Sequence, residues 1–143
     1  NRYQPSKPSI AFVKNFGIKT GAIASTVAHD SHNIIAVGVE DKFLLSAINL
    51  LVESKGGVSL CSDSEKITLD LPVAGLMSTL DGYKIAAEYA AIDKKSKELG
   101  STLDAPYMTL SFLALLVIPS LKLSDKGLFN GDKFEFTSLF IED

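Results

Sequence analysis

Two apolar runs separated by one polar pentapeptide constrain this chain more than any other feature. Residues 21–28 (Gly-Ala-Ile-Ala-Ser-Thr-Val-Ala) and 34–39 (Ile-Ile-Ala-Val-Gly-Val) read as strands. Their near-continuous apolarity predicts burial on both faces. Between them lies His29-Asp30-Ser31-His32-Asn33, which contains both histidines of the chain. A connection this short makes the two strands adjacent and antiparallel. Five polar side chains therefore gather at one end of a sheet.

The rest of the chain alternates strands and helices. Residues 9–14 read as a short strand after Pro5 and Pro8. Asp41 is placed to cap a helix running to about Glu53, with Phe43, Leu44, Ala47, Ile48 and Leu51 on one stripe. Gly56 and Gly57 end it. Residues 58–61 and 66–71 then form a hairpin through 62–65, and the alternation of Ile67, Leu69 and Leu71 with Thr68 and Asp70 leaves one face wet. Ser78 or Thr79 opens the longest helix, which ends near Leu99 with Gly100 as its C-terminal cap. Its apolar side is read as Leu80, Tyr83, Ala87, Ala90 and Ala91. Residues 105–119 fit either a buried helix or a strand. Asp125-Lys126-Gly127 and Asn130-Gly131-Asp132 are turn sequences, and 133–141 reads as a final strand. The fold class is α+β: mixed, mostly antiparallel sheet layers with two principal packing helices.

Composition narrows the function classes. The 143 residues suit one domain spanning 1–143, and 46% hydrophobic content supplies a sizeable core. The net charge of −3, without a Lys/Arg block, argues against a nucleic-acid partner. The apolar run 110–119 is too short to span a bilayer, so no membrane partner is expected. Cys61 is the only cysteine, which fits a reducing, cytoplasmic setting and a buried, inert thiol. The chain begins at Asn1 with no initiator Met, and reads as a piece of a longer protein. Dinucleotide, phosphate-loop and nucleophile-elbow motifs are missing from it.

The pentapeptide is where chemistry is expected. Two imidazoles and the Asp30 carboxylate match the ligand types of a divalent-metal site, but the sequence offers no second ligand cluster. The same residues can relay protons, with Asp30 orienting one ring. The plainer alternative is a braced turn, in which Asp30, Ser31 and Asn33 bond to backbone.

The stretch 21–38, with His-Asp-Ser-His-Asn at its centre, resembles the C-terminal domain of bacterial adenine deaminases. So do residues 71–78 (Leu-Pro-Val-Ala-Gly-Leu-Met-Ser), 104–115 (Asp-Ala-Pro-Tyr-Met-Thr-Leu-Ser-Phe-Leu-Ala-Leu) and 121–129 (Leu-Lys-Leu-Ser-Asp-Lys-Gly-Leu-Phe). The closing segments 134–136 (Phe-Glu-Phe) and 138–140 (Ser-Leu-Phe) follow in the same order. Leu116 departs from the pattern, where proline is expected. The resemblance implies a part of an amidohydrolase that converts adenine to hypoxanthine and ammonia with manganese or iron. It also implies that the metal ligands belong to a barrel domain preceding this one, so no metal site and no activity are expected in this chain alone. Its partners would be that barrel and, through the apolar segment 108–119, further copies in a homo-oligomer. On this reading His29, Asp30 and His32 take accessory catalytic roles at the active-site mouth, while Ser31 and Asn33 bind substrate or brace the loop. The alternative is a purely structural or oligomerisation module with no catalytic contribution.

Overall fold

The computed structural model describes residues 6–140. Its larger sheet holds four antiparallel strands in the order β2-β1-β3-β4: β1 (Ala22–Ser25), β2 (Ile35–Gly38), β3 (Gly57–Cys61) and β4 (Lys66–Asp70). A smaller antiparallel sheet, β5-β6-β7, comprises Leu121–Ser124, Gly127–Asn130 and Glu135–Thr137. Three helices complete the fold: α1 (Asp41–Glu53), α2 (Gly82–Glu98) and α3 (Pro106–Phe112). This is the mixed, mostly antiparallel α+β arrangement that the pattern predicts.

The period of two along β1 sorts its side chains to opposite faces. Ala22 and Ala24 meet Phe43, Ala47 and Leu51 of α1, with Cys61 buried in the same layer. Ile23 joins Val58, Leu60, Leu69, Ile92 and Leu110 on the other face, under α2 and α3. The central sheet is thus covered on both sides, as the apolar run predicts for β1. β2 is an edge strand, and only its Ile35 is fully buried. Gly38 faces Ala22 across the β1–β2 pair, and a Cβ there would lie 2.5 Å from the Cβ of Ala22, so this register position takes glycine. Ser59 turns its hydroxyl into the same layer and donates to the Ala47 carbonyl at 2.7 Å.

The helix ends follow capping chemistry. Asp41 is the first residue of α1, where its charge suits the helix N-terminus, and Glu40 occupies the cap without a side-chain bond. That corrects the expected capping role of Asp41. At the other end Lys55 takes φ 60°; its N–H donates to Val52 O and that of Gly56 to Leu51 O. This double closure satisfies two otherwise orphaned carbonyls. Asp81, and not Ser78 or Thr79, caps α2: its carboxylate accepts from the N–H groups of Tyr83 and Lys84 at 3.0 and 3.1 Å. Ser78 instead accepts from Leu80 N in a turn just ahead of it. Gly100 closes α2 as expected, at φ 110°.

Other expectations are corrected. Residues 9–14 lie outside every strand. The strand expected over 133–141 is only Glu135–Thr137, and Ile141 lies outside the described residues. The β5–β6 hairpin turns at Asp125-Lys126, so the turn expected there joins two strands that the pattern does not show. The 105–119 run splits: Pro106 starts α3, and after Leu113 the chain turns through bonds such as Leu115 N to Phe112 O. The buried face of α2 carries Ile92 and Ser96, with Ile85 and Tyr89 packed at its margin, while Tyr83, Ala87 and Ala90 face outward. Among the described residues no helix is long and apolar enough to cross a membrane.

A strap of chain closes the far side. Lys19 N donates to Leu99 O at 2.8 Å, and Ser101 Oγ to Phe16 O at 2.9 Å. Here Gly17 and Gly100 approach so closely that a Cβ on either would stand under 3 Å from the other's carbonyl oxygen.

Candidate functional site

β1 and β2 are adjacent and antiparallel, paired from Ala22↔Gly38 to Ser25↔Ile35. Their connection, residues 26–34, is longer than the pentapeptide because β1 stops at Ser25. Two side chains cause the early stop. Ser25 Oγ accepts from Val27 N at 2.9 Å, bending the chain. Thr26 then commits its hydroxyl to the backbone of Gly57 and Gly75. The loop leaves the sheet at this point and carries His29 to Asn33 toward α3.

Backbone bonds anchor the loop at two positions. His29 N donates to Ser111 O of α3 at 3.3 Å, and His32 N donates to Ala28 O at 2.6 Å. His32 adopts φ 51°, a left-handed conformation in which histidine is enriched. The His29 ring packs on Phe112, with centroids 5.2 Å apart and planes at 46°. The His32 ring stands edge-on to that of His29 at 6.1 Å and 72°. Both imidazoles are half-buried, while Asp30 and Ser31 are exposed. The loop therefore brings the two rings together and directs the carboxylate and hydroxyl into solvent.

A cavity of about 460 Å³ opens beside it, with Ser31 and Asn33 on its wall. Its apolar floor includes Ala28, Ile35, Leu44 and Ile48; Ser9, Ser124 and Asp125 supply polar groups at other points of the lining. The sequence reading missed Phe112, Ser111 and the cavity-lining segment 6–11. In sequence Phe112 and Ser111 are ordinary members of an apolar run, and only the fold places them against the loop.

A profile of the adenine deaminase C-terminal domain matches residues 1–135. The chain belongs to that family. It is 53% identical over 143 residues to an adenine deaminase of Methanosarcina acetivorans, covering 100% of this chain and 26% of the relative. The adenine deaminase of Sulfurovum sp. is 55% identical over 137 residues, 95% of this chain and 26% of the relative. That of Borreliella afzelii is 54% identical over 138 residues, 95% of this chain and 25% of the relative. The chain thus spans about a quarter of the length of the curated relatives it matches.

The groups gathered at the loop are two imidazoles, a carboxylate, a hydroxyl and an amide. Among the described residues no three His, Cys, Asp or Glu side chains group closely enough to hold a metal ion. The donor set does not fit a metal centre built by these residues. Cys61 is buried in β3, remote in its layer from the loop. The strongest electrostatic perturbation also lies elsewhere. Burial pushes the Tyr107 phenol well above the usual tyrosine range, and Tyr89 and Asp93 add to the shift. Tyr107 donates its hydroxyl proton to Ser59 O at 3.0 Å, linking α3 to the central strand. Its role is to hold in place the helix on which the His29 ring rests.

Proposed function

We propose that the chain is the C-terminal domain of a metal-dependent adenine deaminase, which hydrolyses adenine to hypoxanthine and ammonia in the cytoplasm. The observation that carries this reading is the family match over 1–135, joined to more than 50% identity with proteins named adenine deaminase. Manganese or iron would be held by a barrel outside this chain, and nothing in the domain's own chemistry is routed through it.

The part proposed for the domain is local. The His29–Asn33 loop lies at the mouth of the barrel's active site. There the His29 and His32 rings, set 6.1 Å apart, accept or return a proton during turnover. The packing of His29 on Phe112 and its backbone bond to Ser111 support this role by fixing one ring's position without using its nitrogens. Exposed Asp30 orients a ring or a bound water from the solvent side, and Ser31 and Asn33 hold substrate or the loop at the cavity wall.

The test is made on the intact parent enzyme. His29→Ala or His32→Ala is expected to lower kcat by roughly 10²-fold or more, the effect of losing a proton-transferring group. Bound metal and melting temperature should stay near those of the wild type. Normal turnover per folded molecule would leave the loop a braced turn.

A further inference from the structure

Serine and asparagine side chains in turns ordinarily bond the nearby backbone. Ser25, where the histidine loop leaves β1, follows this rule through Val27 N. Ser31 and Asn33 do not. Among the described residues neither side chain makes a hydrogen bond, and the loop is held instead by the backbone bonds of His29 and His32. Asn33 is half-buried all the same. Both residues line the cavity of about 460 Å³, a size within the range of small-molecule sites, roughly 300–1,000 Å³. Ile35 of β2 and Leu44 and Ile48 of α1 give that cavity an aliphatic floor. Among the described residues Lys7 is the one cation of its lining, and Asp125 on the same lining offsets it, so a phosphate gains no net attraction there.

We propose that this cavity is a purine-binding site of the domain, in which Asn33 reads the edge of the base and Ile35, Leu44 and Ile48 enclose its body. The inference rests on the function proposed above, which supplies the ligand class. The cavity's own chemistry fits that class. A carboxamide presents a donor and an acceptor side by side, and adenine offers the complementary pair along one edge. The Asn33 amide has no protein partner to give up, so both of its contacts are available to a base. The Ser31 hydroxyl, also without a partner in the protein, adds one more donor and acceptor beside it. Aliphatic floor and polar wall together match a flat body with hydrogen-bonding edges. The balanced charge of the lining selects the base or its nucleoside over the nucleotide.

The test titrates adenine into the nitrogen-15-labelled 143-residue chain and follows its amide resonances. Saturable shifts below about 1 mM adenine are expected at Asn33, Ile35, Leu44 and Ile48, with Tyr83, 93% exposed on the outer side of α2, unmoved. Asn33→Leu should weaken binding roughly tenfold, the effect of losing a paired amide contact. Ile48→Phe fills the floor and should abolish binding; Leu44→Phe repeats that test if the first variant loses its dispersed spectrum. Adenosine separates the two sources of a purine: shifts at the same amides admit the nucleoside, and shifts with adenine alone assign the free base. The absence of saturable shifts overturns the proposal. So does binding unaltered in Asn33→Leu or in a folded, floor-filled variant, or adenosine 5′-phosphate binding more tightly than adenosine. Ammonia release from adenine is measured on the intact parent. A parent that deaminates adenine beside a chain that binds no purine sinks the cavity site alone, whereas a parent that releases no ammonia sinks the functional reading itself.

Discussion

Thr26 and Gly57 grip each other through backbone and side chain together. Thr26 N donates to Gly57 O at 3.0 Å, and Gly57 N returns a bond to Thr26 Oγ1 at 2.9 Å. The hydroxyl proton of Thr26 is left for Gly75 O or Gly57 O. One threonine thus joins the start of the histidine loop, the start of β3 and the turn after β4. Thr26→Val keeps the side-chain shape and deletes the hydroxyl, leaving buried Gly57 N without its acceptor. The expected loss is about 1–3 kcal/mol in a urea titration, the cost of an unsatisfied buried group. Thr26→Ser, which keeps the oxygen, should recover most of it.

Tyr107 gives a pH signature. Its folded-state pKa is raised by burial above the ordinary value near 10 of an unfolded tyrosine. The folded protein therefore favours the neutral phenol. The resulting stability is fully present below about pH 10 and is lost as the pH rises above it, because the unfolded chain releases its proton first. Tyr107→Phe should cost about 1 kcal/mol near neutral pH through the lost bond to Ser59 O. It should also make the alkaline loss of stability shallower. A residual slope is expected from Tyr89, whose phenol is raised by its own burial and by Asp93. Denaturant midpoints between pH 8 and about pH 11 check both effects, and an unchanged alkaline slope would contradict the assignment.

Asp81 carries the start of α2 alone among nearby side chains. Asp81→Ala removes the acceptor of two N–H groups and should destabilise the domain by about 1 kcal/mol. Asp81→Asn, another good cap, should sit close to the wild type. A double substitution of Ser78 and Thr79 to Ala should have a much smaller effect, since neither caps the helix.

The 143-residue chain by itself should not release ammonia from adenine, with or without added manganese. No group of three ligating side chains exists among the described residues, so the chain has no evident means of activating water. Ammonia release by rigorously purified chain at the rate of an ordinary enzyme would refute this.

What the chain announced in advance depended on how strongly each segment's period is enforced. Ile23 between two alanines, and the Phe43-Ala47-Leu51 stripe, were legible because each residue type is tied to one buried face. The outer face of α2 misled for the opposite reason. Alanine is the best helix former wherever it sits, so Ala87 and Ala90 carry little information about burial. The buried face at Ile85, Tyr89, Ile92 and Ser96 was present at proper spacing, but Ser96 disguised it by satisfying its hydroxyl on Asp93 O. Residues 9–14 have strand composition without a strand, because neither a strand of the larger sheet nor one of the smaller pairs with them. The loop itself was visible as a run of polar residues. Its support was not, since the Phe112 and Ser111 contacts join segments eighty-odd positions apart.

That separation also sets the order in which the molecule can assemble. β1 with β2, α1 and β3 with β4 are all built from neighbours in the chain, whereas the strap bond from Ser101 to Phe16 spans 85 residues. Closing so long a loop has an entropic cost before any contact repays it, and chains dominated by such closures fold more slowly. The bond from His29 N to Ser111 O belongs to the same late class. In pulse-labelled exchange during refolding, amides of β1 and β3 should gain protection before that of His29. The two imidazoles are therefore set in place only after α3 has docked, and a chain stalled before that step would carry a finished sheet with an unformed histidine loop.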